Sequence, residues 1–162
     1  MTIASGPISQ VAWVTDDLDA LEGALSGQFG VGRWTRIPEV RFGPDACLLR
    51  GEPCDATADI SLAWSGDLQL ELIRPVSGDS VWSEFLDRSG PGLHHVCFRV
   101  PDLAAALAEA AVQGVEVLMS GSMPGPMEFA YLDGSAWGAP YVELARISPE
   151  MDAFYDAIRS AS

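Results

Sequence analysis

Lysine is missing from this chain of 162 residues: its nine basic residues are all arginine, against 23 aspartates and glutamates, and the formal net charge is −14. The absence of lysine excludes a Schiff base on lysine and a complete Walker A motif, because both require that side chain. The excess of negative charge makes nucleic acid an unfavourable partner, since an acidic surface repels the phosphate backbone.

Histidine and cysteine are scarce as well. The two histidines are adjacent, His94 and His95, and the three cysteines show no CxxC spacing. This pattern argues against a disulfide framework and against a cysteine-based zinc site. No apolar run reaches the roughly 18 residues of a membrane span, and the first residues lack the features of a signal peptide. We therefore expect a soluble cytoplasmic protein that binds neither nucleic acid nor membrane.

What the sequence does contain is an internal repeat. The runs ISQVAWV (residues 8–14) and LHHVCFRV (residues 93–100) are both strand-like, and each is followed by an aspartate suited to a helix N-cap and then by a helical stretch. Aligning the two runs places Gln10 on His95. The ends of the halves also match, because LELIR (residues 70–74) resembles VELAR (residues 142–146), and each carries a central glutamate.

Short strand candidates fill the space between these ends: residues 34–37, 46–50, 59–64, 115–119 and 128–132. Turn signals separate them, at residues 43–44, 65–67, 124–126 and 133–134. Each half is therefore predicted to contain a strand, a helix and about three further strands. A short helix is expected near residues 81–86, between the halves, and another at residues 149–160, with a proline in its first turn.

Strand alternation predicts which side chains share a face. His94 should pack toward the helices together with Val96 and Phe98, whereas His95 should face the opposite side. Adjacent strand residues cannot both point inward, so we expect at most one histidine to be a ligand. On the first strand, alternation places Gln10 on the face opposite the packing face of Trp13.

Glu71 and Glu143 stand between apolar neighbours, where a carboxylate is costly to bury unless it is paired, exposed or bound to a cation. Taken singly, each could line a solvent face, and His95 could be an ordinary core histidine. The repeat instead suggests that a pseudo-twofold axis brings Gln10, Glu71, His95 and Glu143 together. One imidazole, one amide oxygen and two carboxylates suit a six-coordinate divalent ion such as Mn²⁺, Co²⁺, Ni²⁺, Fe²⁺ or Mg²⁺, while Zn²⁺ is a less distinctive match.

Four segments carry a family resemblance: QVAWVTDDLDA, LQLELIRPVSGDS, GLHHVCFRVPDLAAAL and YLDGSAWGAPYVEL. In them the chain resembles the vicinal oxygen chelate superfamily, which includes glyoxalase I, methylmalonyl-CoA epimerase, extradiol dioxygenases and bleomycin-type resistance proteins. The resemblance is strongest to the epimerase branch. It implies one α+β domain over residues 1–162, with two βαβββ modules forming a cupped mixed sheet around a central site. The modules would span residues 7–76 and 92–147, joined by a linker (77–91) and followed by a C-terminal helix (149–160).

The resemblance also implies roles for individual residues. Family metal ligands come from the first and last strands of each module, which are here Gln10, Glu71, His95 and Glu143. The second histidine of a family pair is the usual ligand. The chain departs at Gln10, where epimerases carry histidine, and a single inward histidine disfavours the iron chemistry of extradiol dioxygenases. An epimerase base from the first module would correspond to Asp55 or to the nearby Glu52.

We therefore predict a metal-dependent isomerase or lyase of the glyoxalase or epimerase type, which moves a proton α to a carbonyl through a metal-stabilised enolate. Glu143, Asp55 or Glu52 would carry the proton. The substrate would be a small molecule such as an acyl-CoA or an α-oxo compound. An acyl-CoA would need an arginine cluster, for which the candidates are Arg36, Arg41, Arg50 and Arg99.

The main alternative is a binding or resistance protein of the same fold, which would hold an apolar or aromatic drug without metal chemistry. Its walls could come from the five tryptophans and from Met119, Met123 and Met127. A metal-free enzyme that uses the same cavity is a third interpretation. Family members often pair modules within or between chains, so the resemblance also suggests a homodimer.

Overall fold

The computed structural model describes residues 1–123 and 127–161, so the turn predicted at 124–126 lies outside the described residues. The strands are β1 (Ile8–Val14), β2 (Thr35–Phe42), β3 (Cys47–Leu49), β4 (Glu52–Pro53), β5 (Ala56–Ser65), β6 (Leu68–Ser77), β7 (Gly92–Arg99), β8 (Val117–Met123), β9 (Met127–Asp133) and β10 (Tyr141–Ile147). The helices are α1 (Leu18–Phe29), α2 (Val81–Ser89), α3 (Leu103–Val112) and α4 (Pro149–Ser160), with a short 3-10 helix at Ser135–Trp137. Within the two described ranges, no helix combines the length and apolar character needed to cross a membrane.

All these strands join one curled mixed sheet, in the order β2-β5-β6-β1-β7-β10-β9-β8-β3-β4. β1 and β7, the first strands of the two halves, pair antiparallel at its centre. Each has the last strand of its own half beside it in parallel, β6 next to β1 and β10 next to β7. The order β2-β5-β6-β1 therefore reappears as β8-β9-β10-β7, and the predicted α+β fold of two βαβββ modules with a C-terminal helix is confirmed.

The first half differs from the second by an additional hairpin. The strand predicted near residues 46–50 becomes β3, which forms a hairpin with β4 and pairs on its other side with β8 of the second half. Gly121 on β8 permits the close approach, because a Cβ there would lie 2.8 Å from the Ala46 carbonyl oxygen and 2.9 Å from the Phe129 ring. The hairpin therefore links the first half to the far edge of the sheet.

Helices α1 and α3 begin at the two aspartates that the repeat aligns. Asp17 accepts a hydrogen bond from the Ala20 amide, and Asp102 accepts one from the Ala105 amide, both at 3.0 Å. Such N-caps satisfy amides that the first turn of a helix leaves unpaired. Helix α3 packs on β9 and β10 through a buried cluster on the outer face: Val100, Ala106, Ala110, Leu132 and Leu144.

The inner face of the sheet carries a larger, aromatic cluster. The Phe42 ring lies 5.6 Å from that of Phe129 and 5.0 Å from that of Trp82 on α2, and Trp82 donates its indole N–H to the Tyr131 hydroxyl at 3.2 Å. Helix α4 adds Tyr155 to the same cluster. Helices α2 and α4 therefore both contribute side chains to the inside of the cup.

Asp59 on β5 stabilises an irregular part of β2, and its removal gives a test of stability. Its carboxylate accepts a hydrogen bond from the Glu39 amide at 2.8 Å and is paired with Arg74. Glu39 has a φ of 52°, at a point where the register between β2 and β5 shifts. The Glu39 amide and Arg74 both hold the pKa of Asp59 below its usual value.

We expect Asp59→Asn to lower the free energy of unfolding by about 1–2 kcal/mol near pH 7, because the charged hydrogen bonds are weakened. A folded-state pKa below the unfolded one stabilises the protein above the unfolded pKa of about 3.9, and this contribution is lost as the pH falls through the folded value. The difference from wild type should therefore shrink on acidification. Urea unfolding across this pH range checks it, with Asp87→Asn on an exposed part of α2 as the control. An equal loss at every pH would contradict the prediction.

Candidate metal centre

Four neighbouring strands of the sheet each present one of the predicted ligands to the inner face: Gln10 on β1, Glu71 on β6, His95 on β7 and Glu143 on β10. His95 Nε2 lies 3.0 Å from Glu143 Oε2, 3.1 Å from Gln10 Oε1 and 3.7 Å from Glu71 Oε1. One ligand atom from each of Glu71, His95 and Glu143 can be chosen so that all lie within 4.8 Å of one another. The pseudo-twofold thus brings all four side chains to one place.

The cluster is shielded from water. The His95 side chain is 0% exposed, that of Glu143 4% and that of Glu71 12%. Burial lowers the pKa of His95 to about 3, so the imidazole is neutral near pH 7. Burial raises the pKa of Glu143, and burial together with repulsion from Glu143 raises the pKa of Glu71. The two carboxylates therefore lie in a place that disfavours their charges unless a cation compensates them.

His94 faces the same side as His95, so the expectation that alternation would turn it away is wrong. The β1–β7 register pairs Ala12 with His95 and Trp13 with Leu93, which leaves His94 as an extra residue in a bulge. Its ring is fully buried and stacks on Tyr141 with centroids 4.3 Å apart. The bulge therefore keeps both histidines inside the cup, with His94 behind His95.

Hydrogen bonds through His94 fix the tautomer of His95. His94 Nε2 lies 3.2 Å from the Val81 carbonyl oxygen, and its Nδ1 lies 2.8 Å from His95 Nδ1. The carbonyl only accepts, so His94 carries its proton on Nε2 and can accept at Nδ1. Burial lowers the pKa of His94 as well, so both rings are neutral. His95 therefore donates from Nδ1–H to His94, and its Nε2 lone pair faces the oxygen atoms of the cluster.

Gln69 orients Gln10, and the sequence-based predictions do not include this residue. Gln10 donates its amide N–H to Gln69 Oε1 at 2.6 Å, which turns Gln10 Oε1 toward His95. Gln69 is buried, and it lies two positions before Glu71 on β6. Alternation alone places Gln69 and Glu71 on one face, so this signal was present in the sequence.

The donor set fits a divalent ion. A nitrogen lone pair, an amide oxygen and two carboxyl groups converge at His95 Nε2. Burial disfavours the charges of the two carboxylates, and a cation among these groups would compensate them. Mixed nitrogen and oxygen ligands of this kind are typical of Mn²⁺, Fe²⁺, Co²⁺, Ni²⁺ and, with more oxygen, Mg²⁺. Gln10, Glu71, His95 and Glu143 would hold the ion.

Glu52 and Asp55 do not join this cluster. Glu52 is exposed on β4. The Asp55 side chain is half exposed and is held by the Arg41 guanidinium at 2.7 and 2.9 Å, which lowers the pKa of Asp55. Of the three predicted proton carriers, Glu143 is the one that lies at the centre.

A cavity of about 340 Å³ opens in front of Glu71 and Glu143. Most of its walls are apolar or aromatic, and they include three of the wall residues predicted from the sequence: Trp82, Met123 and Met127. Met119 is instead buried in the core. Helix α4 contributes Met151, Phe154 and Tyr155, which the analysis of the sequence did not assign to the site. A cavity of this size suits a small molecule.

Comparisons with known proteins agree with this architecture. The uncharacterized protein YqjC of Bacillus subtilis (strain 168) is 33% identical to this chain over 60 residues. These residues are 37% of this chain and 43% of YqjC, so the match spans less than half of the relative. Hypothetical protein BH1468 from Bacillus halodurans C-125 has a similar structure, with a TM-score of 0.65 and 15% identity over 86% of this chain and 93% of that one. Methylmalonyl-CoA epimerase from Mycobacterium tuberculosis has a TM-score of 0.64 and 21% identity over 94% of each chain.

These structural similarities concern the fold, while the family is established by a sequence model. The model of the Glyoxalase/Bleomycin resistance protein/Dioxygenase superfamily matches residues 9–131, which include Gln10, Glu71 and His95. This match confirms the resemblance noted in the sequence. Because it covers most of the chain, the protein belongs to the glyoxalase/bleomycin resistance protein/dioxygenase superfamily.

Proposed function

We propose that the protein is a divalent-metal-dependent isomerase or lyase that moves a proton at the carbon next to a carbonyl group of a small-molecule substrate. The observation that carries this proposal is the convergence of Gln10, Glu71, His95 and Glu143 beside the cavity, two of them lining it. Membership of the superfamily and the shared fold of an epimerase support it.

The chemistry divides between the ion and the protein. A divalent ion, when bound, supplies positive charge to a substrate oxygen and so favours the enolate that forms when the α-proton leaves. The protein supplies the proton carrier: Glu143 reaches the cavity and would take up and release the proton when it is not bound to the ion, a state in which burial raises the pKa of its carboxyl group. The apolar walls exclude water from the reacting groups.

Glu143 is better placed for this role than the two carboxylates of the first module. Its carboxylate accepts a hydrogen bond from the Cys97 thiol, the neighbour of Glu143 across the β7–β10 pair. Asp55 is instead neutralised by Arg41, and Glu52 faces solvent. Glu71 also lines the cavity, so a pair of carboxylates on opposite modules faces the substrate, and Glu71 is the second group able to exchange a proton.

Two measurements test the proposal. Protein reloaded with Mn²⁺, Co²⁺ or Ni²⁺ should retain close to one ion per chain after gel filtration, and less than about 0.1 ion per chain would contradict it. The loaded protein should then speed the exchange of the α-protons of methyl phenyl diketone or of propionyl-CoA in heavy water, followed by NMR. The rate should return to that of buffer after chelation.

A second candidate function is favoured by the apolar walls, which suit a protein that holds an apolar small molecule without reaction. The same experiment separates the two. One ion per chain with exchange no faster than in buffer for either compound would overturn the isomerase proposal in favour of binding. Exchange that persists after complete chelation would indicate the metal-free enzyme.

A further inference from the structure

We infer that the cavity takes an uncharged, largely apolar carbonyl compound and selects against phosphate-bearing acyl-CoA thioesters. This inference deepens the proposed function and rests on the same site. It narrows the substrate from carbonyl compounds in general to one class. The grounds are the charges of the side chains that line the cavity and the carboxylate partners of the arginines.

The charged side chains that line the described cavity are all acidic: Glu71, Glu143 and Glu150. Residues 124–126, which are Pro, Gly and Pro, add no charge of either sign. A bound divalent ion would balance Glu71 and Glu143 and leave Glu150 uncompensated. An anionic substrate would therefore meet no net positive charge inside the cavity, even with the ion in place.

The remaining walls offer mainly apolar contact, and their polar groups are the hydroxyls of Tyr131 and Tyr155 and the Trp82 indole N–H, which donates to the Tyr131 hydroxyl. Phe42, Trp82 and Phe129 face the cavity from three different elements, β2, α2 and β9. Met123 and Met127 add flexible thioether side chains that adapt to an apolar shape. If the oxygen atoms of a ligand lie toward Glu71 and Glu143, the rest of the ligand would contact these aromatic and thioether groups. That part gains most from burial if it is apolar.

Eight of the nine arginines, which a coenzyme A ligand would need for its three phosphate groups, are already engaged, and the ninth, Arg88, is exposed on α2 and does not line the cavity. All four residues proposed from the sequence pair with carboxylates: Arg36 with Asp19 and Glu22, Arg41 with Asp55, Arg50 with Glu84, and Arg99 with Asp152. Three more do the same: Arg74, Arg146 and Arg159. Arg33 donates to the Ala161 carbonyl. An acyl-CoA would have to break such pairs on a protein with a net charge of −14.

A matched pair of ligands tests the inference. Methyl phenyl diketone and phenylglyoxylate share the aromatic ring and the adjacent carbonyl, but the second carries a carboxylate where the first has an acetyl group. Calorimetry on the metal-loaded and the metal-free full-length protein should show the neutral compound binding at least about tenfold more tightly. Its affinity should change little between about 50 and 500 mM NaCl, because no ion pair is formed.

Propionyl-CoA is the third ligand. Tighter binding of propionyl-CoA than of the diketone would overturn the inference, above all if its affinity falls with salt. So would tighter binding of phenylglyoxylate, or the absence of diketone binding at millimolar concentration. The measurements on metal-free protein keep this result separate from the proposed function. If metal loading fails, tighter binding of the neutral ligand to the metal-free protein still supports the inference. If the neutral ligand does not bind more tightly, the results on metal content and proton exchange are unaffected.

Glu150→Arg probes the charge of the cavity directly, because Glu150 lines it without belonging to the metal cluster. We expect the affinity for phenylglyoxylate to rise at least about threefold, since attraction replaces repulsion, with little change for the diketone. Glu116→Arg makes the same charge change at an exposed position outside the cavity lining and should leave both affinities unchanged. Equal effects of the two variants would show that net charge, not the cavity, governs selection.

Discussion

Replacing Glu143 with glutamine is expected to abolish stoichiometric metal binding while leaving the fold intact. Glutamine has nearly the shape of glutamate, but it removes one of the two carboxylates that would neutralise the ion. We expect the affinity for Mn²⁺ to fall by more than about 100-fold. Substituting a residue that only hydrogen-bonds to a metal ligand typically lowers metal affinity about 10–100-fold, and Glu143 is itself a proposed ligand. Calorimetric titration of the chelator-treated protein measures this, and proton exchange should fall with it.

The metal-free Glu143→Gln protein should be at least as stable as the metal-free wild type, because Glu71 and Glu143 are buried close together and repel each other. In wild type, an ion at about 100 times its dissociation constant should add about 2.7 kcal/mol of stability, and the variant should lose that gain. Glu150→Gln removes the same charge from the same cavity outside the cluster, so it should keep the metal-dependent shift in melting temperature. Equal loss in both variants would contradict the assignment of Glu143.

Much of the architecture could be predicted because the chain repeats itself. The match of Gln10 to His95 and of residues 70–74 to 142–146 places one ligand on the first and last strand of each half. Once β1 pairs with β7, and β6 and β10 flank them, these four positions are neighbours across the sheet. Their convergence therefore follows from the topology, and the topology follows from the two βαβββ modules.

Features that break the repeat or the alternation could not be predicted in the same way. The β3–β4 hairpin joins the opposite half because Gly121 leaves room for it, a packing fact that no local pattern encodes. His94 turns inward because one extra residue interrupts the β1–β7 register. The contribution of α4 to the cavity depends on how the last helix packs, and its own amphipathic pattern does not reveal which surface it covers.

Removing the nitrogen atoms of His94 is the second change from which we expect a large effect. His94→Phe keeps a flat ring against Tyr141, but it deletes the acceptor for His95 Nδ1–H and the donor to the Val81 carbonyl. The proton of His95 should then move to Nε2, where the Glu143 carboxylate at 3.0 Å and the Gln10 amide oxygen at 3.1 Å can accept it. His95 would lose its ligand lone pair, and the affinity for Mn²⁺ should fall by about 10–100-fold.

Long-range ¹H–¹⁵N NMR spectra of the metal-free protein report this tautomer directly, independently of any activity. Wild type should show His95 protonated on Nδ1, and His94→Phe should show it protonated on Nε2. His94→Gln can accept from His95 and donate to Val81 through its two amide atoms, so it should restore the Nδ1–H tautomer and part of the metal affinity. If His95 keeps its proton on Nδ1 in the phenylalanine variant, the tautomer is set by other contacts and His94 acts through packing alone.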